Sequence, residues 1–456
     1  MRSVAATLTV VALVVGVARA QHWPSFRGPN ASGQPDVLRS APPIRWDVPQ
    51  GSNVAWTATL PGLGHSSPIV WGTRVFVTTA VSSGERIFRP RVLARDGEVT
   101  NVDSAGAEPT HTWKVICFDL RTGKLLWERV AFEGVPKIKR HIKNSHASAT
   151  PVTDGRRVVA YFGSEGLYAY DLDGRLLWKV DLGRVDAGWP YDPDYQWGVA
   201  SSPVIHRDVV IVQCDNQEDS FIAAFSLETG REMWRTSRDE VPSWATPTIV
   251  TTPQRTIVVT NATEAIRAYD VDSGKELWRL TGNSELTAPT PVAAKGLVFV
   301  SSGYRPIQPI YAIRPDASGD VSLKAGETSS SAVAWSTMRG GPYLPTPIVV
   351  GDLLYVCLNN GIITAYEAAT GQRVYQHRLG QGMAVSASPV ASHGNIYVVS
   401  EDGDVHVIHA GREYKLVAVN TVGEVVLATP AISDGTILIR TDRRLVAVRE
   451  PGGPRR

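Results

Sequence analysis

Two stretches of this chain gather side chains able to bind or react. The run Ala131–Ser145 carries Lys137, Lys139, Arg140, His141 and Lys143, a basic cluster suited to an anionic partner, although charge runs of this length are ordinarily solvated faces. The run Arg184–Trp197 sets Trp189, Tyr191, Tyr195 and Trp197 beside Asp186, Asp192 and Asp194. Four aromatics in one polar stretch are costly to leave in water, so they either pack on the body of the protein or meet a partner, and packing is the plainer reading. Asp192 and Asp194 flank Pro193, which is ordinary turn chemistry before it is a carboxylate pair.

Other constellations are weaker. His406 and His409 stand three apart in a strand-like segment, so their rings point to opposite faces and cannot share a metal. Asp215-Asn216-Gln217-Glu218 offers oxygen ligands of the kind calcium takes, but it falls where a polar loop is expected anyway. The three cysteines form neither a Cys-Cys pair nor a C-x-x-C-H motif. There is no Gly-rich phosphate loop, no G-x-S-x-G and no H-E-x-x-H, so no catalytic residue and no metal ligand is assigned.

The elements that must position these loops are repeats. Ser243–Gly282 holds three short Val/Ile-rich runs separated by Pro, Asn, Asp and Gly, then the turn Asp272-Ser273-Gly274 and a strand ending near Trp278. That makes a four-stranded antiparallel unit of about 40 residues, the period of a propeller blade. Its opening Ser/Thr-Pro recurs at Ser67, Thr150, Ser202, Thr246, Thr290, Thr346, Ser388 and Thr429, each followed by Pro, which predicts an all-β propeller of eight blades. The aromatic that closes each unit is Trp127, Trp178, Trp234, Trp278, Trp335, Tyr375 and Tyr414. The eighth is Trp56, far upstream, so an N-terminal strand is expected to complete the last blade and close the ring. Alternating strand direction puts the Ser82–Thr112 excursion and the long linkers before Pro151 and Pro203 on one face, and the Arg314–Ala334 insertion on the other.

The motif A-Y-D-V-D-S-G-K-E-L-W (Ala268–Trp278), repeated as C-F-D-L-R-T-G-K-L-L-W (Cys117–Trp127) and A-F-S-L-E-T-G-R-E-M-W (Ala224–Trp234), resembles the tryptophan-docking repeat of the pyrroloquinoline-quinone (PQQ)-like propeller family. The resemblance covers essentially the whole mature chain. It implies that Trp56, Trp127, Trp178, Trp234, Trp278 and Trp335 dock neighbouring blades. It also implies a superfamily with two branches, quinoprotein alcohol dehydrogenases and BamB-like non-enzymatic scaffolds. A quinoprotein dehydrogenase would be expected to show an adjacent Cys-Cys pair, calcium ligands and an Asp base, and the first is absent. Independently of the family, Cys117 takes the small-residue slot held by Ala169, Ala224, Ala268 and Ala365, and Cys214 and Cys357 fall in distant blades.

Met1–Ala20 has a basic start, an apolar run and A-R-A before Gln21, which predicts a cleaved export signal ahead of a single domain at 21–456 with an irregular arm at 21–44. Losing Arg2 and Arg19 and no acid takes the formal charge from +2 to 0, which gives no electrostatic case for nucleic acid. Nothing later is long and apolar enough to span a membrane. The sequons at Asn30 and Asn261 are treated as coincidental. The expectation is an exported, periplasmic or extracellular, monomeric scaffold that binds a protein or small polar ligand on the insertion-bearing face and carries no cofactor. PQQ with calcium belongs to the alternative dehydrogenase reading, and an outer-membrane assembly factor is a second alternative.

Overall fold

The computed structural model describes residues 21–88, 90, 105 and 109–451. The expected signal at 1–20 and most of the excursion at 82–112 lie outside them. Eight sheets follow one another along the chain, each built on four antiparallel strands, in chain order from the inside out except that the N-terminal strand forms the outer edge of the eighth. Blade one comprises Ile69–Trp71, Arg74–Ser82, His111–Asp119 and Leu125–Gly134. The innermost strand of blade eight, Ala431–Ser433, lies against Ile69–Trp71, so the ring is closed. The outermost strand of blade eight is Val54–Thr59, which pairs with Arg444–Val448 and sets Trp56 opposite Ala447. This is the N-terminal closure expected from the position of Trp56.

Each blade is covered on both faces by its neighbours, so its middle strands read as continuous apolar runs rather than alternating ones. Arg157–Tyr161 and Leu353–Cys357 are buried along nearly their whole length. Between blades sit the docking tryptophans. The indole N–H of Trp127 donates to the carbonyl of Leu172 in the next blade (2.9 Å), and Trp56, Trp178, Trp234, Trp278 and Trp335 repeat the bond to Leu120, Leu227, Val271, Pro315 and Ala368. Opposite each indole is a small residue, as in Cys117↔Trp127 and Ala268↔Trp278, with a β-bulge beside it. The turn glycine of the motif also lies under the preceding blade's indole. A Cβ on Gly274, at φ +70°, would fall 2.4 Å from the Trp234 ring, so this position needs both the left-handed backbone and the missing side chain.

Blade seven departs from the expected pattern. The register Val407↔Ala418 places Ala418, not Tyr414, at the docking position. Tyr414 lies ahead of the outermost strand, Leu416–Thr421, and stacks on His377 of blade six (3.7 Å). The missing ring comes from elsewhere in the chain. Trp46 packs in the same cluster as Ala418 and stands 6.3 Å from Tyr397, the contact that Trp127 makes with Phe76 (5.9 Å) and Trp335 with Phe299 (6.1 Å). Residues 44–48 are held along the blade-seven edge by Asn420, whose amide bonds Ile44 O and Trp46 N, and by Val48 N to Thr421 O. The blade-five insertion leaves on the predicted side but then runs along the outer edge of blade four, where Gly319–Asp320 adds a short parallel strand. The three cysteines are free and buried, and burial pushes their thiols up to about 12. Thiols so desolvated are inert packing.

Candidate functional site: the channel mouth

The Ser/Thr-Pro dipeptides open the innermost strands, where Pro costs no ladder bond because the strand faces the channel. Their hydroxyls form a ring. At six of the eight positions the Ser/Thr amide donates to the hydroxyl of the next blade: Ser67 to Thr150 and Thr150 to Ser202 at 2.9 Å, then Ser202 to Thr246, Thr290 to Thr346, Thr346 to Ser388 and Ser388 to Thr429 at 3.0 Å. The link is not made at Thr246–Thr290 or at Thr429–Ser67, and Thr290 Oγ1 is left buried without a partner.

The ring narrows the base of a cavity of about 290 Å³ on the channel axis. Its second tier consists of the residues two before each Ser/Thr: His65, Ser148, Ala200, Trp244, Ala288, Leu344, Ser386 and Leu427 all line it. The tier is lopsided. Blades three to six contribute Ala, Trp, Ala and Leu, whereas blades seven, eight, one and two contribute Ser, Leu, His and Ser. Longer loops raise the same asymmetry. On the apolar side Trp189, Trp197, Trp244, Tyr304 and Tyr343 form an arc, with ring centroids 5.5 Å apart for Trp189–Trp197, 5.6 Å for Trp197–Trp244, 6.1 Å for Trp189–Tyr304 and 5.5 Å for Tyr304–Tyr343. On the polar side Lys143 Nζ lies 2.6 Å from Glu401, which also accepts from Ser386 Oγ at 2.5 Å. His65 Nε2 sits 3.1 Å from the Lys143 carbonyl. Burial first, and the nearby Arg440 charge second, hold His65 down to about 3.

The opposite end is shut by residues 21–37. Trp23 bridges Val70 of blade one, Pro24 O accepts from Thr153 N of blade two, Gly33 O from Ala391 N of blade seven, and Gln34 donates to Val349 O of blade six. Arg27 is fully buried and donates to four carbonyls, Ala31, Thr346, Pro347 and Pro389, at 2.8–3.3 Å. Burial without a carboxylate lowers its guanidinium to about 9. Phe26 reaches the cavity as its floor.

Of the binding-face residues singled out from sequence, His141, Trp189 and Trp197 line this mouth, and the rest lie in the two loops that carry them. Arg184–Trp197 folds back on itself through Trp189 N to Tyr195 O and Trp197 N to Ala187 O (2.9 Å each), with Asp192-Pro193-Asp194 at the tip, where Asp192 Oδ1 caps Asp194 N. Trp189, Tyr195 and Trp197 are half-buried, and Tyr191 is 67% exposed beside Trp189. The basic loop leans on it: Lys139 N donates to Gln196 Oε1, and His141 stacks edge-on against Trp197. Arg140 is buried and bonds the carbonyls of Ile87 and Asn144; Lys137 and Lys139 are exposed. Asp215 does not face a loop cavity. It is clamped by the Arg238 guanidinium (2.7 Å), inside a buried network that continues to Glu240 and Arg267. His406 is buried and His409 exposed, as opposite strand faces require. Among the described residues no three His, Cys, Asp or Glu side chains converge as a metal site. Trp244, Tyr304, Tyr343 and His65 were missed, as was the seal that the expected arm makes across the channel. Trp244 and His65 carry a signal, a fixed offset from Ser/Thr-Pro, whereas Tyr304 and Tyr343 sit in irregular loops.

An eight-bladed ring locked by inter-blade tryptophans defines the class of protein. Within it, the chain matches the family described as outer membrane protein assembly factor BamB over residues 105–218 and 218–455, and belongs to that family. A BamB from Burkholderia pseudomallei (strain K96243) is 32% identical over 114 residues, a stretch that spans 25% of this chain and 29% of that protein. Among solved structures, BamB from Moraxella catarrhalis superposes with a TM-score of 0.56 at 11% identity over 88% of this chain and 99% of that one. The quinohemoprotein alcohol dehydrogenase ADHIIG from Pseudomonas putida HK5 does so with 0.56 at 12% identity over 95% and 81%. At these identities the two structures establish the shared fold alone. No helix among the described residues is long and apolar enough to cross a membrane.

Proposed function

We propose that this chain is an exported, non-catalytic binding scaffold that receives its partner at the channel mouth, in the manner that the name assembly factor implies for its BamB relatives. The observation that carries this reading is the aromatic arc: rings half-buried around an open cavity, rising to an exposed Tyr191 at the rim. Interface centres are enriched in such Trp and Tyr anchors. Family membership supports the same reading.

A calcium-held quinone does not fit the residues present. Among the described residues the cavity lining contains no Asp or Glu, the carboxylate beside it, Glu401, is engaged by Lys143 and Ser386, and the cysteines lie in the blade walls. Calcium needs six or more oxygen ligands, several of them usually carboxylates. The expected result of adding PQQ and calcium and assaying dye-linked alcohol oxidation is therefore background; saturable turnover would restore the dehydrogenase reading.

The test of the scaffold reading is affinity capture from the native cell envelope with wild type and the Trp189→Ala/Tyr191→Ala double variant. Loss of a specific captured protein with unchanged melting is expected. A melting drop with capture intact would make these loops structural and move the interface elsewhere.

A further inference from the structure

The cavity beneath the rim has its own chemistry. Its wall is divided into an aromatic half and a hydrogen-bonding half. On blades three to six the rings of Trp197, Trp244, Tyr304 and Tyr343 line the cavity; Ser148, Asn144, Ser386 and His65 line it on the other blades. Among the described lining residues no charge is unpaired: Lys143 is neutralised by Glu401, His141 Nδ1 accepts from the Lys143 amide, and His65, held down to about 3, is uncharged at neutral pH. Below the cavity Arg27 is balanced only by carbonyl dipoles and does not line it.

Polar capacity is left unused at the base. Thr290 Oγ1 lines the cavity, is buried, and has no partner. None of the eight ring hydroxyls donates to a protein acceptor among the described residues; six of them only accept a neighbouring amide. Leaving polar groups unmatched is costly unless something arrives to pair with them.

We infer that the channel mouth binds a neutral saccharide residue, one face stacked on the Trp197–Trp244 side and its hydroxyls turned to Ser148, Asn144 and Ser386. The occupant must be uncharged because the wall is, must have an apolar face because half the wall is aromatic, and must carry several hydroxyls because the other half and the base are hydrogen-bonding. A pyranose has that combination: C–H groups on its faces and hydroxyls around its edge. A purely apolar molecule would leave Thr290 Oγ1 unmatched, and an anion would meet no free cation among the described lining residues. The cavity size suits one or two sugar units and not a folded domain, so the saccharide is either a free sugar or the end of a polysaccharide chain.

The inference rests on reading the mouth as the binding face, but its test avoids the rim. Glucose, galactose, mannose, N-acetylglucosamine and their disaccharides are titrated by calorimetry and saturation-transfer NMR. Pull-downs on insoluble chitin, cellulose and starch separate a chain end from a free sugar. At least one neutral sugar should bind saturably. Trp244→Ala and Ser386→Ala should each weaken it about tenfold or more, the loss of one stacking or hydrogen-bonding contact. Thr290→Val keeps shape and the amide link to Thr346, so its fold is safe; it should weaken binding by a smaller factor. The apolar control, indole, should be insensitive to Ser386→Ala. Binding of indole or benzoate with none of the sugars overturns the inference, as does sugar binding that survives Trp244→Ala. Sugar failure with rim-dependent partner capture intact sinks this inference alone; loss of rim-dependent capture with sugar binding intact sinks the scaffold reading alone.

Discussion

Two parts of this chain ignore the repeat and are rich in aromatics: the N-terminal stretch 21–60 and the linker 181–200. Their aromatics meet different fates. Trp23, Trp46 and Trp56 are 0%, 4% and 8% exposed, and each fills a gap left by the ring: the channel floor, the blade-seven docking slot and the last blade's outer strand. Trp189, Tyr195 and Trp197 stay half-buried, with Tyr191 beyond them in solvent. An aromatic cluster outside the repeat is thus not in itself an interface. What separates the two is that the backbone of the first is tied to the blades at Trp23, Pro24, Gly33, Trp46 and Val48, whereas 187–197 bonds chiefly to itself.

The comparison predicts that N-terminal changes cost stability and mouth changes cost binding. The largest effect belongs to deletion of Ser52–Leu60, which removes a strand and a docking indole and should lower unfolding free energy by about 5 kcal/mol or prevent folding. A truncated protein with the parent's melting temperature would refute the closure. Next is Trp46→Ala, expected to cost about 3–5 kcal/mol in denaturant unfolding by opening a cavity between blades seven and eight. A loss below about 1 kcal/mol would mean that Ala418 has no ring to replace. Arg27→Met should cost about 3 kcal/mol, because four buried carbonyls lose a charged donor while the removed charge relieves part of its own desolvation. If stability rises instead, the floor is held by Trp23 and the backbone bonds alone.

The smallest expected effect lies at the mouth and depends on pH. His65 is neutral in the folded protein down to about 3, whereas in the unfolded chain it titrates near 6.5. Between those values the unfolded state binds the extra proton, so stability rises with pH across this window and is fully gained above about 6.5. The penalty at pH 5 is about 2 kcal/mol. His65→Gln should flatten the difference between unfolding at pH 5 and pH 7 by that amount; burial of His206 and His406, also lowered, retains the remainder. An unchanged difference would mean that His65 is hydrated in solution.

Period and punctuation carried the architecture. Eight Ser/Thr-Pro dipeptides, the turn glycine and the trailing tryptophan encode blade number, docking and even closure through Trp56, because each is a local demand: a strand start without a donor, a left-handed turn, and an indole opposite a small residue. The same local logic put the linkers of blades one to three on one face. It failed at Tyr414, where spacing alone could not tell a docking aromatic from one four residues early.

Tertiary structure decided what no spacing encodes. That Trp46 substitutes for the missing ring of blade seven, that Arg27 seals the channel against carbonyls more than 300 residues away, and that Lys143 reaches Glu401 are contacts between segments distant in sequence. They exist because the ring closes and brings its first and last blades together. The mouth is the same case. Its wall is one residue from each of eight repeats, and only a closed ring turns that linear series of His, Ser, Ala, Trp, Ala, Leu, Ser and Leu into a cavity with an aromatic side and a polar one.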